Sequence, residues 1–410
     1  MNIIKLYSRT RELRCNYPKV YSILRTAYEV FNRIVSVRYY IFRIFPIRNN
    51  KILFSNYTGK GYGDNLKYIA DYLIQQKKDY MLIWTVHAGD RYIFELPDDI
   101  ITVRSGSLRE LYHQTTSRVW IDNVRKLGDT RKRKSQIYIQ TWHGFGPKRY
   151  LDGKNSVVKS QIRALQHDSD ISDLFISNNT LLTKLYRDDF WYSGEVLQCG
   201  FPRNDILFVE SNVDINRKVR DRLNLPLDKK IFLYAPTFRE NLALSAYNIN
   251  YSACLKSMSE VFGGDWIALI RLHHIISDQA SDIHVDNIHV FDASHYLDMQ
   301  ELLLVSDVLI TDYSSCMFDF ALTRKPCFLY HPDVKEYDDT RGFCIQPEEL
   351  PFPRAHSNEE LQTIIENFDE ESYVKTLNEY LDSIGMCDNG TASKAVVDWI
   401  EEKINANKKE

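Results

Sequence analysis

The sequence predicts an α/β protein built on parallel sheets. Short apolar runs of strand length, such as Lys51–Asn56, Met81–Val86, Ile231–Ala235 and Trp266–Ile270, recur along the chain. Stretches with apolar residues at helical spacing, such as Asn65–Gln75, fall between them. That alternation is the pattern of parallel sheets with helical crossovers. Residues able to do chemistry cluster just after the runs, where ligands of open α/β sheets bind.

Composition bounds the class. A length of 410 residues provides for about two or three domains. Hydrophobic residues are 44% and charged residues 26%, which fits a globular chain, soluble or peripheral to a membrane. A net charge of −3 gives no support for nucleic-acid binding by bulk charge. The seven cysteines are odd in number and have no paired-ligand spacing. Cys316, Cys327 and Cys344 lie among apolar residues, so reduced core thiols in a cytosolic compartment are expected. There is no Cys-x-x-Cys or His-Glu-x-x-His pattern, so no metal ligands are assigned.

Residues 1–50 carry ten Lys or Arg against Glu12 and Glu29. This segment is therefore +8 and the remainder −11. Tyr21, Leu24, Phe31, Ile34, Tyr40, Ile41, Phe42, Ile44 and Phe45 lie between the charges. No uncharged run of about 18 residues exists for a spanning helix, and the early arginines do not read as a signal peptide. A basic amphipathic helix on an anionic bilayer surface is expected, against the alternative of a helix packed on the protein body.

The first strand, Lys51–Asn56, leads into a loop with Gly59, Gly61 and Gly63. That spacing is not the dinucleotide fingerprint. The helix Asn65–Gln75 follows, then strands at Met81–Val86, Ile101–Arg104, Arg118–Asp122 and Ile137–Gln140. The basic run Arg125–Lys134 reads either as a solvated loop or as a surface for a polyanionic acceptor or lipid phosphates. After the Ile137–Gln140 strand come Thr141, Trp142, His143, Gly144, Phe145, Gly146, Pro147, Lys148 and Arg149. A histidine at a strand end, beside two glycines and before a basic pair, is well placed to accept a proton near neutral pH. Leu174–Asn178 is a further strand and loop. In Cys199–Asp205, Gly200 and Pro202 punctuate the chain and Arg203 is a candidate anion ligand. The polar stretch Glu210–Lys230 reads as helix plus linker and sets the domain boundary.

In the second half, Ile231–Ala235 is followed by Pro236, Thr237, Phe238 and Arg239, and Trp266–Ile270 by Arg271, Leu272, His273 and His274. Ile288–Phe291 is a strand and Met299–Ser306 a helix. The strand Val308–Thr311 leads through Asp312, Tyr313, Ser314 and Ser315 into a helix at Cys316–Leu322, which Pro326 stops. A strand-to-helix turn with two hydroxyls suits a phosphate, although Asp and Ser there also read as plain caps. Arg239, Arg271 with His273, and Ser314 with Ser315 fall at three strand ends, and one phosphate-rich ligand explains them together. Asp388–Ile404 reads as a closing helix.

These residues carry a resemblance. Gln-Thr-Trp-His-Gly at 140–144, Gly-Phe-Pro-Arg-Asn-Asp at 200–205, Tyr-Ala-Pro-Thr-Phe-Arg at 234–239, Arg-Leu-His at 271–273 and Thr-Asp-Tyr-Ser-Ser at 311–315 are similar to motifs of the CDP-glycerol glycerophosphotransferase family, the teichoic-acid primases and polymerases. The similarity runs in order over roughly residues 50 to 400. It implies a GT-B fold, two Rossmann-like domains facing a cleft. The expected parts are a basic amphipathic segment at 1–50, an acceptor domain at 51–210, a donor domain at 211–385 and a closing helix and tail at 386–410. It also implies transfer of an alditol phosphate from a CDP-alditol to a hydroxyl, releasing CMP. His143 is then the base, and His273 the second histidine of the reaction, contacting the donor phosphates. Arg203, Thr237, Arg239, Arg271, Asp312, Ser314, Ser315 and Ser393 are the expected donor contacts. Lys60, Asp64, Lys148 and Arg149 are the candidate acceptor contacts. Closure of the two lobes would assemble the reaction.

The implied partners are CDP-glycerol or another CDP-alditol, a prenyl-diphosphate-linked saccharide or polymer, and an anionic membrane, with no nucleic acid. The location is the cytoplasmic face of the bacterial membrane. No tightly bound cofactor is expected, and a divalent cation would not be protein-coordinated. Teichoic-acid and capsule-like polymers both fit. The chain departs from the pattern at Phe145 and Gly146, where Thr-Pro is common, and at Thr391, where Lys is common. Three alternatives stand: a ribitol-phosphate transferase, a GT-B nucleotide-sugar glycosyltransferase and a non-enzymatic membrane assembly factor.

Overall fold

A computed structural model describes residues 16–87, 89, 96–126, 128–148, 166–239, 248–272, 289–340 and 342–406. They divide into two compact units. The first draws on 16–143, 166–205 and 385–406, and the second on 144–148 and 206–384, within the described residues.

The first unit is a seven-stranded sheet of β1 (Arg48–Ser55), β2 (Met81–Val86), β3 (Ile100–Arg104), β4 (Ser117–Asp122), β5 (Ile137–Gln140), β6 (Leu174–Ser177) and β7 (Glu195–Gln198). Its order is β3-β2-β1-β4-β5-β6-β7, and every pairing is parallel. The chain builds outward from β1 to β3, then returns to the far side of β1. β4 is buried at all six positions, with Val119, Trp120 and Ile121 apolar at its centre and Ser117, Arg118 and Asp122 as buried polar groups at its ends. β7 carries only Val196 and Leu197 as apolar residues at an edge, which is why no strand is legible there.

The second unit is a six-stranded sheet of β8 (Lys230–Ala235), β9 (Trp266–Ile270), β10 (Val290–Asp292), β11 (Val308–Thr311), β12 (Cys327–Tyr330) and β13 (Arg354–Ala355). Its order, β10-β9-β8-β11-β12-β13, repeats the same reversal in parallel pairing. Phe232, Tyr234, Ala268, Ile310 and Phe328 form one face of its core with Met258 and Leu361. Both units are thus Rossmann-like, as expected. The described cysteines are free thiols, with Cys316 and Cys327 buried and Cys344 only half-buried.

One boundary differs from expectation. Residues 144–148 leave the first unit and pack with the second. Phe145 is 1% exposed and its ring lies 4.7 Å from that of Phe318. The carbonyl of Pro147 accepts from the Cys344 N–H at 2.7 Å, and Lys148 bridges Phe343. The departure from Thr-Pro at 145–146 therefore fills a hydrophobic socket. At the other end, residues from Gly385 onward return to the first unit. Asp388 accepts from the Phe201 N–H at 2.9 Å and from Asn204 Nδ2 at 3.0 Å. Asp205 accepts from the first N–H groups of the Ala392–Ala406 helix, at 2.9 and 2.8 Å. Trp399 and Lys78 continue the contact through Glu195 and Glu401.

A helix at Pro18–Val35 precedes β1. Val20, Ile23, Leu24, Phe31 and Ile34 fall on one face of it and are 46–69% exposed. Residues after it dock on the first unit. Tyr39 is buried and its hydroxyl donates to Gln114 at 2.9 Å, while Phe45 meets Tyr112 edge-on. Among the described residues, no helix is long and apolar enough to cross a membrane.

Much of the basic run at 125–134 is tied to the protein itself, while Lys134 is exposed. Lys126 pairs with Asp122 at 2.9 Å in the interior. Arg131 donates to the carbonyls of Gly128 and Thr130, Lys132 pairs with Asp173, and Arg133 donates to the carbonyl of Phe45. Arg125 lies 4.0 Å from the Phe190 ring centre. Arg125, Lys132 and Arg133 thus link this stretch to distant segments, and Arg131 bonds within it.

Two outcomes follow for stability. Gly200 has φ +87°, and a Cβ there would stand 3.0 Å from the Asp388 backbone. Gly200→Ala is therefore expected to cost about 1 kcal/mol or more in denaturant unfolding. His113 is buried, and burial first, then Lys51 and its arginine neighbours, lower its pKa to about 4. The unfolded chain binds that proton more readily, so the His113 contribution is complete above about pH 6.5 and lost as pH falls toward 4. Melting curves of His113→Gln are expected to fall less steeply across that window.

Candidate active site

In an open parallel sheet, the place where strand order reverses leaves a crevice at the strand C-termini. In the second unit the reversal lies between β8 and β11, and the residues following them are Pro236–Arg239 and Asp312–Ser315. Asp312 ties the two turns together. Its Oδ1 accepts from the N–H groups of Thr237 at 2.8 Å and Tyr313 at 2.6 Å. Its Oδ2 accepts from the Thr237 hydroxyl at 3.0 Å and from Arg239 Nη1 at 2.7 Å. Arg239 Nε and Nη2 make a fork on Asp333, at 2.5 and 3.0 Å. The rings of Tyr313 and Tyr337 both lie 5.1 Å from the guanidinium.

Arg239 is thus held by two carboxylates and is 4% exposed. Burial opposes its charge, but Asp312 and Asp333 outweigh burial and hold its pKa above the ordinary arginine range. The sequence reading has Arg239 compensating a bound diphosphate. In the structure it balances Asp312 and Asp333 and braces the turn that carries Ser314 and Ser315.

Ser314 and Ser315 are half-exposed. The Ser315 hydroxyl makes no capping bond to the Cys316–Ala321 helix, and Ser314 Oγ accepts from the Cys316 N–H at a long 3.5 Å. The plain capping reading therefore accounts for little of either hydroxyl. Gly146 packs so closely here that a Cβ would stand 3.2 Å from Ser315 Cβ. Arg271 follows β9, and its guanidinium donates to the Leu297 carbonyl at 3.3 Å. His273 and Arg149 lie outside the described residues.

In the first unit the reversal lies between β1 and β4. Asn56 and Tyr57 follow β1, and Asn123 follows β4. His143 follows β5 and is half-buried, with Trp142 4.1 Å away ring to ring. Its Nδ1 lies 2.7 Å from the Asn123 carbonyl oxygen. A carbonyl only accepts, so Nδ1 carries the proton in this bond and the neutral ring presents Nε2 as its basic nitrogen. Asn123 Nδ2 donates to Asn56 Oδ1 at 2.7 Å and Asp64 Oδ2 at 3.1 Å, and its Oδ1 accepts from the Tyr57 N–H at 2.8 Å. Asp64 Oδ1 takes Arg203 Nη1 at 3.1 Å, and the same Nη1 donates to the His143 carbonyl at 2.8 Å.

Arg203 therefore bonds to Asp64 and the His143 carbonyl within the first unit, whereas Thr237, Arg239 and Asp312 belong to the second. Asp64 is likewise committed inside the fold, through Tyr57, Asn123 and Arg203. Lys60 is exposed, and its carbonyl accepts from Asn56 Nδ2 at 2.8 Å. Lys148 is in the second unit. Ser393 belongs to the first, where its N–H is bonded to Asp205 at the start of the last helix. It is not among the described contacts of the Asp312 turn.

Asn123, His331 and Asp333 are not among the residues expected from the sequence. His331 is buried, its Nε2–H donates to the Asp312 carbonyl at 3.0 Å, and its ring stacks 4.5 Å from Tyr313. Burial lowers its pKa, so it braces this carbonyl as the neutral ring. Asn123, His331 and Asp333 all come within three residues of a buried strand's end. The rule that singles out His143 would find them.

The chain also compares with known proteins. The family model described as CDP-Glycerol:Poly(glycerophosphate) glycerophosphotransferase matches residues 37–402. A teichoic acid poly(glycerol phosphate) polymerase of Staphylococcus epidermidis is 33% identical over 372 residues, covering 87% of this chain and 51% of that protein. One of Bacillus spizizenii is 30% identical over 378 residues, covering 89% of this chain and 95% of that one. The chain thus spans about half of the first relative and nearly all of the second. A solved structure of the wall teichoic acid polymerase TagF has a TM-score of 0.78 at 29% identity, covering 95% of this chain and 99% of that one.

Proposed function

Because the chain belongs to the CDP-glycerol:poly(glycerophosphate) glycerophosphotransferase family, we propose that it transfers glycerol phosphate from CDP-glycerol to a hydroxyl in teichoic-acid synthesis. The observation that carries the reading is the His143 Nδ1–H bond to the Asn123 carbonyl at 2.7 Å. It turns a lone histidine at a strand end into a base of set tautomer.

In the proposed step the acceptor hydroxyl oxygen attacks the β-phosphorus of the donor. A new phosphorus–oxygen bond forms as the bond to the anhydride oxygen breaks. CMP leaves with that electron pair, and the hydroxyl proton passes to His143 Nε2. The turn held by Asp312, Thr237 and Arg239 offers Ser314, Ser315 and nearby backbone N–H groups to the diphosphate. Arg271 and His273 keep their roles as donor contacts in this reading. The GT-B arrangement would let each unit supply one half of the reaction. No resident cofactor enters, and a divalent cation carried by the diphosphate is compatible with the step. The acceptor would be a lipid-linked saccharide or growing polymer at the cytoplasmic face of the membrane.

Membrane attachment is supported by the Pro18–Val35 helix, whose apolar face is exposed and which carries Lys19 and Arg25. Such a helix lies in the interface of an anionic bilayer. Cosedimentation with phosphatidylglycerol vesicles is expected to fall several-fold for Ile23→Asp and at high salt. Equal binding to neutral and anionic vesicles would count against this attachment.

The reaction is tested by CMP release from CDP-glycerol and CDP-ribitol with a prenyl-diphosphate-linked saccharide. CDP-glycerol is expected to support it in the wild type. His143→Ala is expected to lose about 10²-fold or more in kcat with donor Kd little changed. Unchanged turnover in that variant would remove the base assignment. Preference for CDP-ribitol would change the donor, and nucleoside diphosphate release from a nucleotide sugar would change the reaction class.

A further inference from the structure

The backbone around His143 is held in a conformation it would not adopt alone. Trp142, immediately before it, has φ +54°, in the left-handed region that a bulky aromatic residue seldom occupies. Two side chains pin this peptide. Gln140 Oε1 accepts from the Trp142 N–H at 3.0 Å, and Asn65 Nδ2 donates to the Trp142 carbonyl at 3.1 Å. The His143 carbonyl is then fixed by Arg203 Nη1 at 2.8 Å.

Arg203 is itself constrained. Its Nη1 reaches Asp64 Oδ1 at 3.1 Å, its N–H donates to Asn65 Oδ1 at 3.2 Å, and its guanidinium lies 5.1 Å from the Phe201 ring centre. The two charged side chains are only 6% and 7% exposed. The other oxygen of Asp64 accepts from the Tyr57 hydroxyl at 2.7 Å and from Asn123 Nδ2 at 3.1 Å. Asn123 is the residue whose carbonyl holds the imidazole.

One carboxylate thus acts on the histidine by two routes. Through Arg203 it sets the backbone, and through Asn123 it sets the ring. We propose that Asp64 and Arg203 are a positioning pair for the base His143, rather than ligands of donor or acceptor. Asp64 opens the helix Asp64–Gln75 after β1, and Arg203 comes from Pro202–Phe208 after the edge strand β7, so the pair joins two distant segments beside His143. A base displaced by about 1 Å loses on the order of 10²-fold in rate. Loss of the pair is therefore read in turnover and not in donor binding. The proposal rests on the assignment of His143 as base.

The experiment measures CMP release and calorimetric binding of CDP-glycerol for the wild type, His143→Ala, Arg203→Met, Arg203→Lys and Asp64→Asn, with thermal melts of each. Arg203→Met and Asp64→Asn are expected to lose about 10- to 100-fold in kcat with donor Kd within about two-fold of wild type. Arg203→Lys is expected to recover part of the loss, since it keeps one donor and the charge. A weakened donor Kd with normal kcat would overturn the proposal and return Arg203 to the donor contacts. A raised acceptor KM at normal kcat in Asp64→Asn would overturn it in favour of acceptor binding. Wild-type values for both variants beside an inactive His143→Ala would remove the positioning pair and leave the base. An active His143→Ala would remove the base and the pair with it. If Arg203→Met and Asp64→Asn lack a cooperative melt, Tyr57→Phe decides on the same split. It removes one bond to Asp64 and keeps the ring, and a loss of a few-fold in kcat alone is expected.

Discussion

The reversal of strand order is the constraint from which the chemistry of both units follows. Between β1 and β4, and again between β8 and β11, neighbouring strands send their chains away on opposite sides. The polar groups after those strands meet in a crevice that no crossover helix fills. Asn56, Tyr57 and Asn123 meet in one such place, and Thr237 and Asp312 in the other. A histidine from the next strand, β5, then finds a carbonyl at the right distance to hold its ring. The same topology thus produces a histidine of set tautomer in one unit and a braced polar turn in the other.

Buried charge makes these places rigid. Arg239 is shared by Asp312 and Asp333, and Arg203 is shared by Asp64 and the His143 carbonyl. In the interior such groups persist only when every charge is paired and hydrogen-bonded. Each pair therefore specifies one arrangement of the turns around it. The two arginines act as framework in these described bonds. Lys132 and Arg133 of the basic run at 125–134 follow the same logic, since they link that stretch to Asp173 and to the Phe45 carbonyl.

Much of the fold is legible in the chain. The strands at 51–55, 81–86, 231–235, 266–270 and 308–311 are apolar because they are buried along most of their length. β7 and β13 are not legible, because an edge strand or one of two residues leaves too little pattern. His143 and the Ser314–Ser315 turn are legible because chemistry-bearing side chains follow strong strands. The committed state of Arg203, Arg239 and Asp64 is not, because an arginine that binds phosphate and one that binds a buried carboxylate look identical in one dimension. Residues 144–148 mislead for a related reason. Proximity in sequence to β5 suggests the first unit, whereas Phe145 and Gly146 are shaped to fit Phe318 and Ser315 in the second.

By itself the sequence determined the class of fold, the motifs that mark the family and the residue types at each strand end. These depend on local burial and on short spacings that a linear chain displays. Tertiary structure alone decided which strand ends adjoin, and so which partner each charge meets. Asp64 and Arg203 are 139 positions apart, and Arg239 and Asp333 are 94 apart. Such pairs form because the sheet order brings their turns together, and strand order is set by crossovers between distant segments rather than by any residue's own pattern.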